Sequence, residues 1–329
     1  MSIDGGGIRG IIPATILASI EERTGKPIAE MFDLIAGTST GGLLTLGLTK
    51  PNSLGKPEFT ARQLCRLYEE QIPHVFRNPQ SWWGNLLSPK YRADAFRQVL
   101  KNSLGDCRLK DALTAVLIPC YDIENREPYI FKSQLASLRS QCDFPMRDVA
   151  LAASATPTLF HPVPVGKSSQ GRSICLVDGG VFANNPAVSA LSEIKSMPPG
   201  EGETFFMVSI GTGKSSRPLM AERVSRWGYV QWSRPMLELV MESLSESVHD
   251  QMRHLLPSNH DASYYRLQVN LPSQMSVAID NADSAHMQAL MHIAEEFCSQ
   301  GQSAESLKKV CETLLRLSEQ KLDEQSLAR

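Results

Sequence analysis

Apolar residues recur at helical spacing in IIPATILASIEERTG, where Ile12, Ile16, Leu17 and Ile20 share one face. Pro13 sits in the first turn, where its missing N–H costs little, and Gly25 supplies a stop. FDLIAGTSTGGLLTLGL reads as a short buried strand over Leu34–Ala36, a tight turn and an apolar helix. Helices are expected at 60–72 and 91–103, flanking a loop rich in Pro, Asn and Trp. LTAVLIPCYDI and PYIFKS have the β-branched and aromatic content of strands. FPMRDVALAASATPTLF is expected as a helix ended by Pro157, and SICLVDGG as a strand running into a glycine turn. NNPAVSALSEI opens a helix with an Asn cap and an early Pro, and TFFMVSIGTG is a further buried strand.

Strands and helices therefore alternate through about residue 213, the pattern of a mainly parallel sheet covered by helices on both faces. A long helix follows, with apolar residues at 237, 240, 241, 244, 248, 252 and 255, then a strand in SYYRLQVNL. The tail from Ser303 is a charged amphipathic helix.

Charge narrows the function classes. The chain has 33 basic and 35 acidic residues for a net −2, which disfavours a nucleic-acid polymer as partner. Seven Cys, at 65, 107, 120, 142, 175, 298 and 311, form no C-x-x-C pair, so neither a disulfide framework nor a metal site is expected. With no signal-peptide pattern and no apolar run long enough to span a bilayer, a cytoplasmic protein is expected that touches a membrane only from outside.

Three glycine motifs carry the chemistry. GTSTG (37–41) is a G-x-S-x-G sequence between a strand and a helix, and Gly37 and Gly41 remove side chains that would clash in so sharp a turn. Ser39 is thereby held at the carboxyl end of the strand, beside the Thr40 amide of a helix N-terminus. LVDGG places Asp178 at the end of another buried strand, followed by Gly179 and Gly180, where α/β active sites form. SIDGGGIRG (2–10) has the G-x-G-x-x-G spacing of a dinucleotide turn at Gly5, Gly7 and Gly10. The amides of Gly5, Gly6, Gly7 and Ile8 can equally serve an oxyanion, with Arg9 pinning the loop or holding the negative charge.

A serine hydroxyl needs a base. None of the seven His lies in a recognisable catalytic loop; His249 is the best candidate for a Ser–Asp–His triad, with His161 second. A nucleotide-binding protein would want an acidic residue at a strand end about 20 residues past the glycine loop, and Glu30 has the distance but not the setting. A catalytically silent storage or scaffold protein would have no need for all three motifs.

D-G-G-G-I-R-G, G-T-S-T-G and D-G-G, in that order, resemble the motif set of the patatin-like phospholipases, supported by AASATPTLF, DGGVFANNPA and VSIGTG. The resemblance covers residues 2–213 and, weakly, YYRLQV. It implies a three-layer α/β/α sandwich with a modified α/β-hydrolase-like sheet. One catalytic domain is expected over 1–300, with a peripheral amphipathic helix over 301–329. It also implies a lipid acyl hydrolase with a Ser39–Asp178 dyad, the glycine loop as oxyanion hole, and no cofactor or metal. Family members carry a fuller apolar strand before the loop than Met1, Ser2 and Ile3 supply, so a truncated first strand, or one starting upstream, is expected. Bacterial relatives include cyclic-nucleotide-activated effector phospholipases of anti-phage defence. The region after residue 213 leaves room for a small-molecule activator, though no motif marks one. The expected substrate is a membrane phospholipid or other lipid ester, met through transient peripheral contact; Trp82 and Trp83 in SWWGNLL are candidates for that contact.

Overall fold

Ten strands alternate with helices along the residues described in a computed structural model, which are 1–77, 79, 88–167, 171–196, 205–256 and 262–327. The strands are β1 (Ser2–Ile3), β2 (Leu34–Gly37), β3 (Ala115–Asp122), β4 (Glu127–Lys132) and β5 (Val163–Lys167), then β6 (Ser173–Asp178), β7 (Phe205–Ile210), β8 (Lys214–Ser215), β9 (Ala262–Leu267) and β10 (Asn270–Leu271). The first helices are α1 (Ile11–Thr24), α2 (Ile28–Met31), α3 (Thr40–Thr49), α4 (Ala61–Val75), α5 (Asp94–Leu104) and α6 (Ser133–Leu138). They are followed by α7 (Met146–Ala153), α8 (Ala187–Lys195), α9 (Ala221–Val224), α10 (Tyr229–Leu255), α11 (Ser284–Ser299) and α12 (Gly301–Leu327).

Eight strands form one sheet in the order β5-β6-β3-β2-β1-β7-β9, with β4 also on β3, and β8 pairs β10 separately. The run from β3 to β9 is parallel, while β4, β5 and β6 pair antiparallel. β4 occupies one edge of β3 from Leu117 to Asp122, so β2 and β6 must share the other. β2 runs parallel against Leu117 and β6 antiparallel against Cys120, which aims their carboxyl ends at each other. Chain order reverses at β1, which opens a crevice above the carboxyl ends of β1 and β7.

Two-residue periodicity divides the strands between the faces. Ile3, Ile35, Val208 and Ile210 pack into a core with α1, α4, α11 and α12. Leu34, Ala36 and Met207 pack on the opposite face against α8 and α10. Ten of the fourteen residues of α1 are buried, so this helix is enclosed on nearly all sides. The architecture is thus the expected mainly parallel sheet between helical layers.

Three elements depart from expectation. α7 ends at Ala153, ahead of Pro157, because Thr156 sits before a proline and is steered from helical geometry. SYYRLQVNL is split: β9 stops at Leu267, and Asn270–Leu271 leaves the main sheet to pair with β8. The C-terminal helix, expected as peripheral, buries Leu307, Val310, Cys311 and Leu314 in the main core; their spacing lines one face, which docks on α1, α11 and β9.

Candidate active site

β2 is buried throughout, and the chain turns from it into α3 within two residues. Ser39 takes φ 54° there, a left-handed conformation rarely held by a residue with a side chain. The turn closes only because a Cβ on Gly37 would strike the Gly41 carbonyl, and one on Gly41 the Ile3 carbonyl. Ser39 occupies the N-cap of α3 yet makes no capping hydrogen bond. Its hydroxyl instead lies within hydrogen-bonding reach of Asp178. The Thr40 amide, at the first position of α3, is left free by the helix ladder.

Asp178 arrives from β6, brought opposite Ser39 by the shared edge of β3. Ser39 and Asp178 are only 4 % and 1 % exposed. One carboxylate oxygen, Oδ1, accepts from the Gly180 amide at 2.8 Å; Oδ2 accepts from Thr156 Oγ1 at 2.7 Å. Burial pushes the Asp178 pKa above the ordinary carboxylate value, and the hydrogen bonds from Ser39, Gly180 and Thr156 only partly oppose it. Gly179 lies flat on the Pro119 carbonyl. Thr156 was not among the sequence candidates; the early end of α7 releases it, and the Ala155 carbonyl accepts from the Asp178 amide at 3.1 Å.

The glycine loop crosses the same crevice. The Gly5 amide donates to the Asn184 carbonyl at 3.0 Å and the Ile8 amide to the Ile279 carbonyl at 2.8 Å. Both were expected as oxyanion donors, and both are consumed by backbone acceptors. Gly6 and Gly7, among the described residues, donate to no backbone acceptor, and Gly7 takes φ 57° as the loop enters a 3-10 turn that closes at Gly10. A Cβ on Gly5 would press on Asn184 Oδ1 and on Ser39, so loop and elbow are in contact.

Ser2–Ile3 is wedged between β2 and β7, and the loop behind it is clamped. Arg266 Nη1 and Nη2 grip Asp4 Oδ1 and Oδ2 at 2.9 and 2.6 Å, and Ser245 donates to Asp4 Oδ2 at 2.8 Å. Thr212 Oγ1 donates to the Gly5 carbonyl at 2.8 Å. A bidentate Asp–Arg pair away from solvent resists the loop's displacement.

An apolar cavity of about 40 Å³ opens at Ser39, bordered by Gly7, Thr40 and, among its apolar walls, Leu43, Tyr68, Phe96 and Phe160. Ser154 lines it with a hydroxyl that has no partner among the described residues. A second apolar cavity of about 50 Å³ shares Leu43, Tyr68, Ile72 and Phe96 with the first. No histidine among the described residues lines the Ser39 cavity. His249 Nδ1 pairs with Tyr264 Oη at 3.2 Å in another cavity, and His161 is exposed, so neither of the two expected triad bases lies at Ser39. Arg9 also points elsewhere, its Nη1 3.5 Å from the Gly213 carbonyl. Glu30 lies in α2 instead of at a strand end, against the dinucleotide alternative. Trp82 and Trp83 lie outside the described residues. No described helix is long and apolar enough to cross a membrane, and no three metal-ligating side chains converge among the described residues.

The chain is similar in sequence to several known proteins. Patatin-like protein 2 of Oryza sativa subsp. indica is 34% identical over 90% of this chain and 82% of its own length. Patatin-like protein 4 of Arabidopsis thaliana is 32% identical over the same shares, and Patatin-2-Kuras 3 of Solanum tuberosum 30% over 99% and 90%. The crystal structure of VipD from Legionella pneumophila overlays with a TM-score of 0.34 and 13% identity, covering 90% of this chain and 66% of that one, which adds nothing to the assignment. The model of the patatin-like phospholipase family matches residues 1–191, and on that match and those relatives the chain belongs to the patatin-like phospholipases.

Proposed function

We propose that this protein is a serine lipid acyl hydrolase of the phospholipase A type, working through Ser39 and Asp178. The observation that carries the reading is the Ser39 hydroxyl, unused as a cap and beside a buried carboxylate, on the wall of an apolar cavity. In the first half-reaction Ser39 Oγ attacks the ester carbonyl carbon and its proton passes to Asp178. The oxygen that becomes negative is met by the amides of Gly6, Gly7 and Thr40, which act where charge develops. Collapse breaks the bond to the lipid alcohol, which leaves with the proton from Asp178, and the acyl group stays on Ser39. Water then gives a proton to Asp178 and attacks the acyl carbon; Ser39 regains the proton as the fatty acid departs. A base whose pKa is raised toward neutrality is better matched to serine than an ordinary carboxylate.

Apolar walls suit a fatty-acyl chain, whose burial contributes about 0.8 kcal/mol per CH₂. The enzyme is read as meeting membrane lipid from the aqueous side. Labelling with a fluorophosphonate probe tests the chemistry: Ser39→Ala should abolish labelling and Asp178→Asn should slow it strongly. Undiminished labelling of Ser39→Ala refutes the proposal. Fatty acid released from phospholipid vesicles then reports the substrate class.

A further inference from the structure

We infer that the surface formed by residues 217–239 docks on a lipid bilayer with anionic headgroups and thereby brings the glycine loop to its substrate. The inference rests on the acyl-hydrolase reading. Leu219, Met220, Tyr229, Val230, Met236 and Leu239 are all exposed, Tyr229 at 91% and Val230 at 76%. Elsewhere among the described residues, exposed large apolar side chains are scattered singly. A cluster of this kind marks an interaction surface. Trp227 and Trp232, half-buried and edge-to-face at 5.3 Å, add two amphipathic rings of the type that settles at a headgroup boundary.

Charge selects the occupant. Residues 217–239 carry Arg217, Arg223, Arg226 and Arg234 against Glu222 and Glu238, a net basic segment in a chain whose net charge is −2. A second copy would set this basic face against itself and be repelled, whereas an anionic bilayer attracts it and accepts its apolar residues together. The surface is tied directly to the candidate site. A cavity of about 680 Å³ is lined by Arg9 and Thr212 together with Leu219, Met220 and Trp227. Farther along α10, Ser245 donates to Asp4 and accepts from Asn184.

Flotation with vesicles tests the docking, using the Ser39→Ala protein so that binding is read without hydrolysis. Vesicles of phosphatidylcholine with 30% phosphatidylglycerol are compared with phosphatidylcholine alone, at low salt and at 1 M NaCl. Adding Arg217→Gln and Arg223→Gln should weaken binding to the anionic vesicles by roughly 30-fold, the worth of two basic side chains at such a surface. Adding Tyr229→Ser and Val230→Ser should weaken it at least about tenfold on both compositions. High salt should remove the difference between the two compositions. With Ser39 restored, both pairs should hydrolyse a soluble butyrate ester within about twofold of the parent, which also verifies folding. Unchanged flotation of either pair overturns the inference. So does a sedimentation shift from dimer to monomer, or loss of an acidic protein partner, with vesicle binding intact. Failure of the parent itself to hydrolyse the soluble ester would instead overturn the acyl-hydrolase reading, while flotation still decided the docking surface.

Discussion

Replacing Thr156 by Val keeps the branched shape and deletes the hydroxyl that donates to Asp178 Oδ2 at 2.7 Å. A hydrogen bond to a charged group is worth about 1.5–3 kcal/mol, and the protonated acid keeps about 1 kcal/mol of it by accepting the same hydroxyl. The net loss falls on the ionised form. At about 1.36 kcal/mol per pKa unit, Asp178 should rise by roughly 0.5–1.5 units beyond its already raised value. Asp178 acts as base only when ionised, so the acid limb of kcat/KM should move to higher pH by that amount. On the alkaline side of the limb the rate should be nearly unchanged. The assay is a pH–rate profile on a soluble butyrate ester, with thermal unfolding as a check on folding. A folded Thr156→Val protein with an unmoved acid limb would show that Asp178 is not the titrating base.

Other consequences can be measured as directly. Because burial raises the folded-state pKa of Asp178, stability is fully present below the unfolded value and lost as pH rises through the folded one. Asp178→Asn should therefore lose about 10²–10⁴-fold in kcat yet melt higher than the parent at pH 8, with the gap closing toward pH 4; a lower Tm at pH 8 contradicts the sign. Arg266→Ala strands the buried Asp4 charge and should cost about 3–5 kcal/mol in urea unfolding. Combining it with Asp4→Ala should cost less than the sum of the two single losses, and strict additivity would deny the clamp. Leu43→Ala removes part of the partition between the two apolar cavities and should shift the preferred ester toward longer chains, read as relative kcat/KM for four-, eight- and twelve-carbon nitrophenyl esters.

Sequence periodicity located most of the elements because burial on one face repeats locally, as in α4 over Ala61–Val75 with its Thr60–Gln63 capping box. The termination of α7 was harder to place. Its apolar pattern continues through Ala155, but Ala155 and Thr156 turn away to serve Asp178, a partner 22 residues beyond Thr156. The docking of α12 was hidden for a similar reason: an amphipathic stripe at Leu307, Val310, Cys311 and Leu314 says that one face is buried without saying against what.

The elbow at Gly37–Gly41 and the carboxylate before Gly179 were legible from sequence alone, since short-range sterics dictate glycine beside a strained serine and beside a sharp turn. Only the tertiary structure decided which amides stay free. The backbone amides of Gly5 and Ile8 are chemically the same as those of Gly6 and Gly7, and it is Asn184 and Ile279, some 180 and 270 positions away, that occupy the first pair. It likewise supplied Arg266 to hold Asp4, and it put Ser39 opposite Asp178 by dividing one edge of β3 between β2 and β6. Hydrogen-bond partners set by strand pairing are non-local, and a linear pattern carries no record of them.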